Sequence, residues 1–268
     1  MHVAALQMVS GTSVPANLVM ARQLLERAAA QGAELAVLPE YFCVMGRKDT
    51  DKLAVQEAAG EGPIQGFLAR SARELGLWIV GGTVPLGASD RQHVRNSSLV
   101  YAPSGQCVAR YDKIHLFRFD NGLEQYDESR VIERGAAPVT FELPSVDGHR
   151  YRVGLSVCYD LRFPELYRAM KADLLLVPSA FTQTTGRAHW EVLLRARAIE
   201  NLAYVVAAAQ GGEHDNGRST WGQSLVVDPW GDVLGEQAQG PAVVMAEVSA
   251  DRLRAVRLQL PALDHGVL

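Results

Sequence analysis

The chain has 268 residues, 48% hydrophobic and 21% charged, with a formal net charge of -4 and a pI near 6.0. An apolar fraction this large with mixed charge excludes a disordered chain, and the acidic balance argues against a nucleic-acid surface, which needs a basic stripe. No apolar run approaches the ~20 residues of a membrane-crossing helix, and the opening MHVAALQMVS lacks a basic segment and cleavage site, so the expectation is one domain over 1–268 that folds in the cytoplasm.

MHVAALQM reads as a first strand. Residues 15–31 read as a helix, with Pro15 near its start and Leu18, Ala21, Leu25 and Ala28 at helical spacing. ELAVLPE (34–40) is a short apolar strand stopped at Pro39. A helix opened by Pro63 runs to Gly76, and LWIVGGTV (77–84) is the next strand. NSSLVYAP and QCVARYDK flank Ser104-Gly105, a hairpin signal. The second half repeats the plan: a strand at 151–157, a helix opened by Pro164, a strand at 173–179, a helix over 188–202 and a strand at 203–210. Two strands then flank a Pro229-Trp230-Gly231 turn. PAVVMAEV is the last strand, before a helix from Ser249 to about Leu260. Alternating strands and helices with inserted hairpins define an α/β class with mixed sheets. Two similar halves imply two sheets packed together with helices outside.

Three cysteines, Cys43, Cys107 and Cys158, are an odd number at wide spacing, which speaks against a disulfide framework or a thiol zinc site. Cys158 follows the apolar strand VGLSV and precedes a helix start. Free backbone N–H groups at such a turn favour the thiolate, although position alone leaves a nucleophile and an ordinary core residue equally open. Cys43 and Cys107 read as packing residues. Glu40 stands where the chain leaves a buried strand, either as a turn residue or as a carboxylate poised in a cleft at the strand ends. Burial there would raise its pKa toward proton-transfer range. Only four of the 26 basic residues are lysine (Lys48, Lys52, Lys113, Lys171). Lys113, followed by the apolar Ile114, Leu116 and Phe117, either snorkels outward or is held by carboxylates. His115 beside it reads as a hydrogen-bonded structural residue. GxSxG, HExxH, HxH and CxxC are absent, and GEGPIQG (60–66) misses the dinucleotide spacing, so neither a metal nor a cofactor is expected.

LPEYF around Glu40, RYDKIHLF around Lys113 and SVCYDLRFPELYR around Cys158, in that order, resemble the nitrilase (carbon–nitrogen hydrolase) superfamily. Residues 177–210 and WGQSLVVDPWGDVL (221–234) resemble its Nit branch, which includes deaminated glutathione amidases and ω-amidases. The resemblance implies a four-layer α-β-β-α sandwich of two mixed sheets with outer helices, paired into homodimers or higher oligomers. It implies Cys158 as nucleophile, Glu40 as general base and Lys113 as electrostatic stabiliser. Glu128 in YDESRVIERG matches a second glutamate, for which Glu124 fits less well. Lys113 and the Tyr159 N–H would hold the oxyanion.

The same resemblance points to Arg162 as the holder of a substrate's 2-oxo-acid end, against a structural salt bridge as the other reading, and to Phe181 and Thr185 as pocket residues. Arg187 departs from the branch and would alter the pocket rim. Arg195 and Arg197 read as internal salt bridges or interface residues, and His189 and Trp190 as capping and packing residues. The implied activity is cysteine-dependent hydrolysis of a non-peptide amide through a thioester, on deaminated glutathione first, as metabolite repair. An ω-amidase, an N-carbamoyl amidohydrolase and a nitrilase are rivals on the same scaffold. A catalytically silent binding protein is the rival of another class, disfavoured because all four catalytic residue types are present. The expected partner is a small-molecule amide, with no nucleic acid and no membrane.

Overall fold

A computed structural model of the protein describes residues 1–267. The first half runs through β1 (His2–Gln7), α1 (Val14–Ala30), β2 (Leu35–Val37), the one-turn α2 (Asp51–Ala54), α3 (Pro63–Leu75), β3 (Trp78–Val80), β4 (Val84–Gly87), β5 (Val94–Tyr101) and β6 (Cys107–Asp112). A short ribbon of β7 (Arg118–Asp120) and β8 (Gln125–Asp127) follows. The second half runs through β9 (Val139–Pro144), β10 (Arg150–Leu155), α4 (Pro164–Met170), β11 (Leu174–Leu176), α5 (Gln183–Asn201) and β12 (Tyr204–Ala207). It ends with a ribbon of β13 (Gly211–Glu213) and β14 (Ser219–Trp221), then β15 (Ser224–Val227), β16 (Val233–Gln237), β17 (Ala242–Glu247) and α6 (Ala250–Gln259).

Two mixed sheets result. The first has the order β17-β1-β2-β3-β5-β4, with β6 also on β5, and the second β16-β15-β12-β11-β10-β9. Each has a parallel centre, β1-β2-β3 in one and β10-β11-β12 in the other, with antiparallel flanks. Period-two alternation sets the layers. On the first sheet Ala4, Leu6, Ala36, Leu38 and Ile79 meet Ala21, Leu25 and Ala28 of α1 and Ile64, Leu68 and Ala72 of α3. Their neighbours Val3, Ala5, Leu35, Val37 and Val80 join the core of the second sheet, where Trp190, Leu194 and Ala198 of α5 also pack. This is the α-β-β-α sandwich. Strands buried on both faces read as continuous apolar runs, as Leu174–Leu176 does.

Helix ends follow local chemistry. Ser13 caps α1, accepting from the Ala16 N–H, and Pro63 opens α3, which Gly76 ends in the left-handed conformation at φ +65°. Two local expectations are corrected, and one element is added. The strand expected over 77–84 stops at Val80, because the chain turns at Gly82 (φ +48°), where any Cβ would run into the Pro39 carbonyl. Helix α5 starts at Gln183, five residues before the expected start. Thr182 caps it by accepting from the Thr185 N–H, which offsets the weak helix propensity of Thr-Thr-Gly. A 3₁₀ helix, Cys158–Arg162, precedes α4.

Candidate active site

The carboxyl ends of the parallel strands point the same way, and the loops leaving them carry the chemistry. Glu40 lies three residues past β2, Lys113 directly after β6, and Cys158 three residues past β10. Glu128 opens a single 3₁₀ turn after β8. Two of these turns are strained: Tyr41, next to Glu40, has φ +57°, and Cys158 itself has φ +51°. Left-handed backbone at a non-glycine residue is unfavourable and persists where surrounding contacts enforce it. Here the Tyr41 N–H is held by Thr83 Oγ1 at 2.9 Å, and the Cys158 N–H by the Pro178 carbonyl at 2.9 Å.

The structure brings Glu40, Lys113, Glu128 and Cys158 together. Lys113 is buried, and its Nζ donates to Glu40 Oε1 at 2.9 Å and contacts both Glu128 oxygens, at 2.9 and 2.8 Å. Burial works against that ammonium, but Glu128 and Glu40 outweigh it and hold its pKa well above the ordinary value. Glu40 is also buried. Its Oε1 takes a second bond from Asn96 Nδ2 at 2.9 Å and its Oε2 one from the Ala180 N–H at 3.1 Å. Burial raises its pKa and repulsion from Glu128 adds to this, while Lys113 and the nearby Cys158 thiol pull it down. Glu128 goes the other way. Burial would raise it, but Lys113, the Phe117 N–H (2.7 Å) and the Tyr41 hydroxyl (2.7 Å) together lower it.

The Cys158 pKa is pushed well above the ordinary thiol value, by burial first and Glu40 second, with only partial relief from Lys113 and the Ala180 N–H. This corrects the expectation that the turn favours the thiolate. The helix after Cys158 is a five-residue 3₁₀ turn with little dipole, and the site holds two carboxylates against one ammonium. The resting sulfur is therefore a thiol with a carboxyl base in place beside it.

The sulfur opens into a narrow cavity lined by Phe117, Tyr159, Arg162, Ala180, Phe181, Thr182 and Thr185. The Tyr159 N–H, in the opening turn of the 3₁₀ helix, takes no acceptor among the described residues. The Arg162 guanidinium lies 5.9 Å from the Tyr159 ring and 6.0 Å from the Phe181 ring. It has no carboxylate partner among the described residues. Its polar contact is His189 Nδ1, at 3.1 Å; His189 is exposed inside α5 and does not cap it, because that helix starts at Gln183. Arg187 is exposed and lines no part of the cavity. Trp190 packs on Phe181 and donates to the Gln223 carbonyl. Arg197 is buried, donating to the Leu161 carbonyl and pairing with Glu200. Glu124 accepts from Thr184 and stands apart from Lys113. Cys43 is buried against the Thr83 carbonyl with its thiol pushed up to about 12 by burial, and Cys107 sits exposed on β6.

Asp160 organises the floor of the site, although its sequence position carries no such signal. Its carboxylate is fully buried. Oδ2 accepts from Tyr111 Oη at 2.7 Å and the Val157 N–H at 2.8 Å. Oδ1 accepts from the His115 N–H at 3.1 Å and bonds His115 Nδ1 at 2.7 Å. One carboxylate thus ties both flanks of Lys113 to both flanks of Cys158. His115 is structural, as its setting in the sequence implies, and stacks on Phe163 at 3.6 Å. Gln210 does similar work behind Glu40, donating to its carbonyl and to Ser10. Asn96 and Gln210 had no sequence signal, since each reaches the site only through tertiary approach.

A buried thiol set against a carboxylate and an ammonium, where two stacked sheets end, is the equipment of a hydrolase that opens an unactivated carbon–nitrogen bond through a covalent cysteine adduct. The sequence model of the carbon–nitrogen hydrolase family matches residues 2–258. The chain is 41% identical over 270 residues to the deaminated glutathione amidase of Synechocystis sp. (strain PCC 6803 / GT-S), covering 98% of this chain and 97% of that one. The crystal structure of the C. elegans NitFhit protein superposes with a TM-score of 0.88 at 35% identity, over 99% of this chain and 65% of that longer one. An amidase variant from Nesterenkonia sp. AN1, showing the result of Michael addition of acrylamide at its active site cysteine, superposes with a TM-score of 0.79 at 28% identity, over 97% of this chain and 98% of that one. The chain belongs to the carbon–nitrogen hydrolase family, and it is an amidase.

Proposed function

We propose that Cys158 attacks the carbonyl of an amide whose acyl part is a 2-oxo dicarboxylate, with deaminated glutathione as the first candidate. Glu40 accepts the thiol proton as sulfur bonds to carbon. Lys113 and the Tyr159 N–H stabilise the oxyanion, each such donor contributing roughly 3–4 kcal/mol. Glu40 returns the proton to the leaving nitrogen as the carbon–nitrogen bond breaks, which frees an amine or ammonia and leaves a thioester on Cys158. Glu40 then takes a proton from water. The hydroxide adds to the thioester, the thiolate leaves as the carboxylic acid forms, and Cys158 is reprotonated. Glu128 and Tyr41 hold Lys113 in place.

The observation that carries this reading is the meeting of thiol, Glu40 and Lys113 where the thiol opens into a cavity whose wall holds an Arg162 without a carboxylate partner among the described residues. A planar guanidinium suits a carboxylate, and Phe181 and Thr185 flank the space before it. We place the acyl group in this cavity, between Phe117, Tyr159 and Phe181, and the amine part outside it. No helix is long and apolar enough to cross a membrane among the described residues. A reducing, cytoplasmic setting suits a reactive thiol. We further infer a homodimer through α5, where Val192 and Ile199 are exposed near Trp230 of the turn that Arg195 contacts; gel filtration with light scattering tests this.

The functional test is release of 2-oxo acid and amine or ammonia across deaminated glutathione, 2-oxoglutaramate, carbamoyl amino acids and nitriles, with wild type and Cys158→Ala. The expected result is turnover of the 2-oxo-acid amides and none by the variant, which keeps its circular dichroism. Retained turnover by Cys158→Ala refutes the nucleophile, and preference for nitriles or carbamoyl compounds refutes the substrate class.

A further inference from the structure

The sequence holds few lysines, and Lys52 is an odd one: its side chain is only 9% exposed, and its carboxylate partner, Asp49, is 3.6 Å away and itself half exposed. Its Nζ sits 4.6 Å from the centroid of the Tyr41 ring, whose hydroxyl bonds Glu128 at 2.7 Å. A second cation, Arg218, lies 5.3 Å from the Tyr126 ring and has no carboxylate within 4.0 Å among the described residues. The two are brought near each other because Asn216, in the Arg218 loop, donates to the Met45 and Gly46 carbonyls of the loop that leads to Lys52. Burial, and less strongly the Arg218 charge, lower the Lys52 pKa, while Asp49, Glu128 and Glu40 oppose them without cancelling the shift. Arg218, with no carboxylate in reach among the described residues, beside Lys52, whose partner Asp49 is half exposed, leaves a local deficit of negative charge.

The aromatic side chains give that deficit a direction. Tyr159, Phe117 and Tyr126 form a row, with ring centroids 5.2 and 5.7 Å apart. Arg162 caps one end of the row and Arg218 the other. Phe117 and Tyr159, in the middle, line the cavity of Cys158. A substrate amide placed at the sulfur therefore has a guanidinium on its acyl side and a second cationic group on its leaving-group side. Two extended residues span roughly 7 Å. That carries a carboxylate from beneath Phe117 past the Tyr126 ring, toward Arg218 and Lys52.

We propose that Lys52 and Arg218 form a leaving-group subsite that binds the terminal carboxylate of a dipeptide-like amine. This rests on the acyl-side reading above and deepens it: the preferred substrate carries a carboxylate at each end, and the amide bond lies between two cationic grips. Removal of the carboxylate's charge-assisted bonds costs binding by about tenfold or more.

The experiment compares deaminated glutathione, whose leaving amine is cysteinylglycine, with its glycine-carboxamide analogue and with 2-oxoglutaramate, which shares the acyl group and releases ammonia. Wild-type enzyme is expected to lose about tenfold in kcat/KM on the carboxamide, mainly through KM. Arg218→Gln and Lys52→Gln are expected to lower the preference for deaminated glutathione over 2-oxoglutaramate by a similar factor. Equal handling of the free acid and the carboxamide by wild type overturns the subsite, and needs no variant to fold. A preference ratio within twofold of wild type in folded Arg218→Gln overturns it as well. Failure of wild type to release 2-oxoglutarate from any of the three amides instead refutes the acyl-side reading.

Discussion

Replacement of Asp160 by asparagine tests whether one buried carboxylate sets the register between Lys113 and Cys158. The side chain keeps its shape, but one acceptor oxygen becomes a donor. If the amide nitrogen takes the Oδ2 place, it faces the Val157 N–H, and Tyr111 Oη already accepts from the Ile114 N–H at 3.3 Å. If it takes the Oδ1 place, it faces the His115 N–H. Either way one buried backbone N–H loses its acceptor, which costs about 1–3 kcal/mol. At roughly 2–4 °C per kcal/mol for a chain of this size, the thermal midpoint falls by about 2–12 °C. Catalysis should suffer more than stability, because a ~1 Å misplacement of reacting groups costs ~10²-fold. The expected outcome is a fall in kcat of about ten- to hundredfold, with KM within about twofold and slower alkylation of Cys158 by iodoacetamide. The alkylation is read in a Cys107→Ser background, since Cys107 is exposed. A lowered midpoint with wild-type kcat would reduce Asp160 to a stability residue. An unchanged midpoint and rate would refute the reasoning altogether.

Glu128→Gln should move the acid limb of kcat/KM to lower pH: the Glu128 charge helps raise the Glu40 pKa, activity needs Glu40 ionised, and a neutral neighbour lowers the pH at which that happens. An unmoved limb, or one shifted upward, removes Glu40 as the titrating base. The same variant reads stability. The folded pKa of Glu128 is depressed, so its contribution is fully present above the unfolded value of ~4.3 and is lost as pH falls through the folded value. The wild-type advantage in denaturant midpoint should therefore be constant near neutrality and close in acid. Arg162→Ala should raise KM for 2-oxo dicarboxylate amides about tenfold or more while neutral amides change by less than about twofold; equal effects on both would make Arg162 a structural residue.

The elements with the strongest local signature were legible from sequence. Leu35–Val37 and Leu174–Leu176 are buried on both faces and leave apolar runs, and Ser104-Gly105 turns a hairpin between β5 and β6. The three-residue strands Arg118–Asp120 and Gln125–Asp127 had no such signature, because they pair only with each other and are largely exposed. The site divides the same way. Motif flanks marked Glu40, Lys113 and Cys158, but the state of each is set by distant residues. Lys113 by itself reads first as a solvated edge lysine. Carboxylates 73 and 15 residues away in sequence settle its surroundings. The thiolate expectation failed for the same reason: the turn around Cys158 was read correctly as local geometry, while the negative charge of Glu40 and Glu128 acts on the sulfur through space. Arg162 met His189, 27 residues on, for lack of any carboxylate nearby. On the proposed reading, a cation that the folded chain leaves without a counter-charge, beside a reactive thiol, has its partner in the substrate. In the proposed leaving-group subsite Arg218 follows the same logic, while Lys52 beside it keeps the half-exposed Asp49 as its counter-charge.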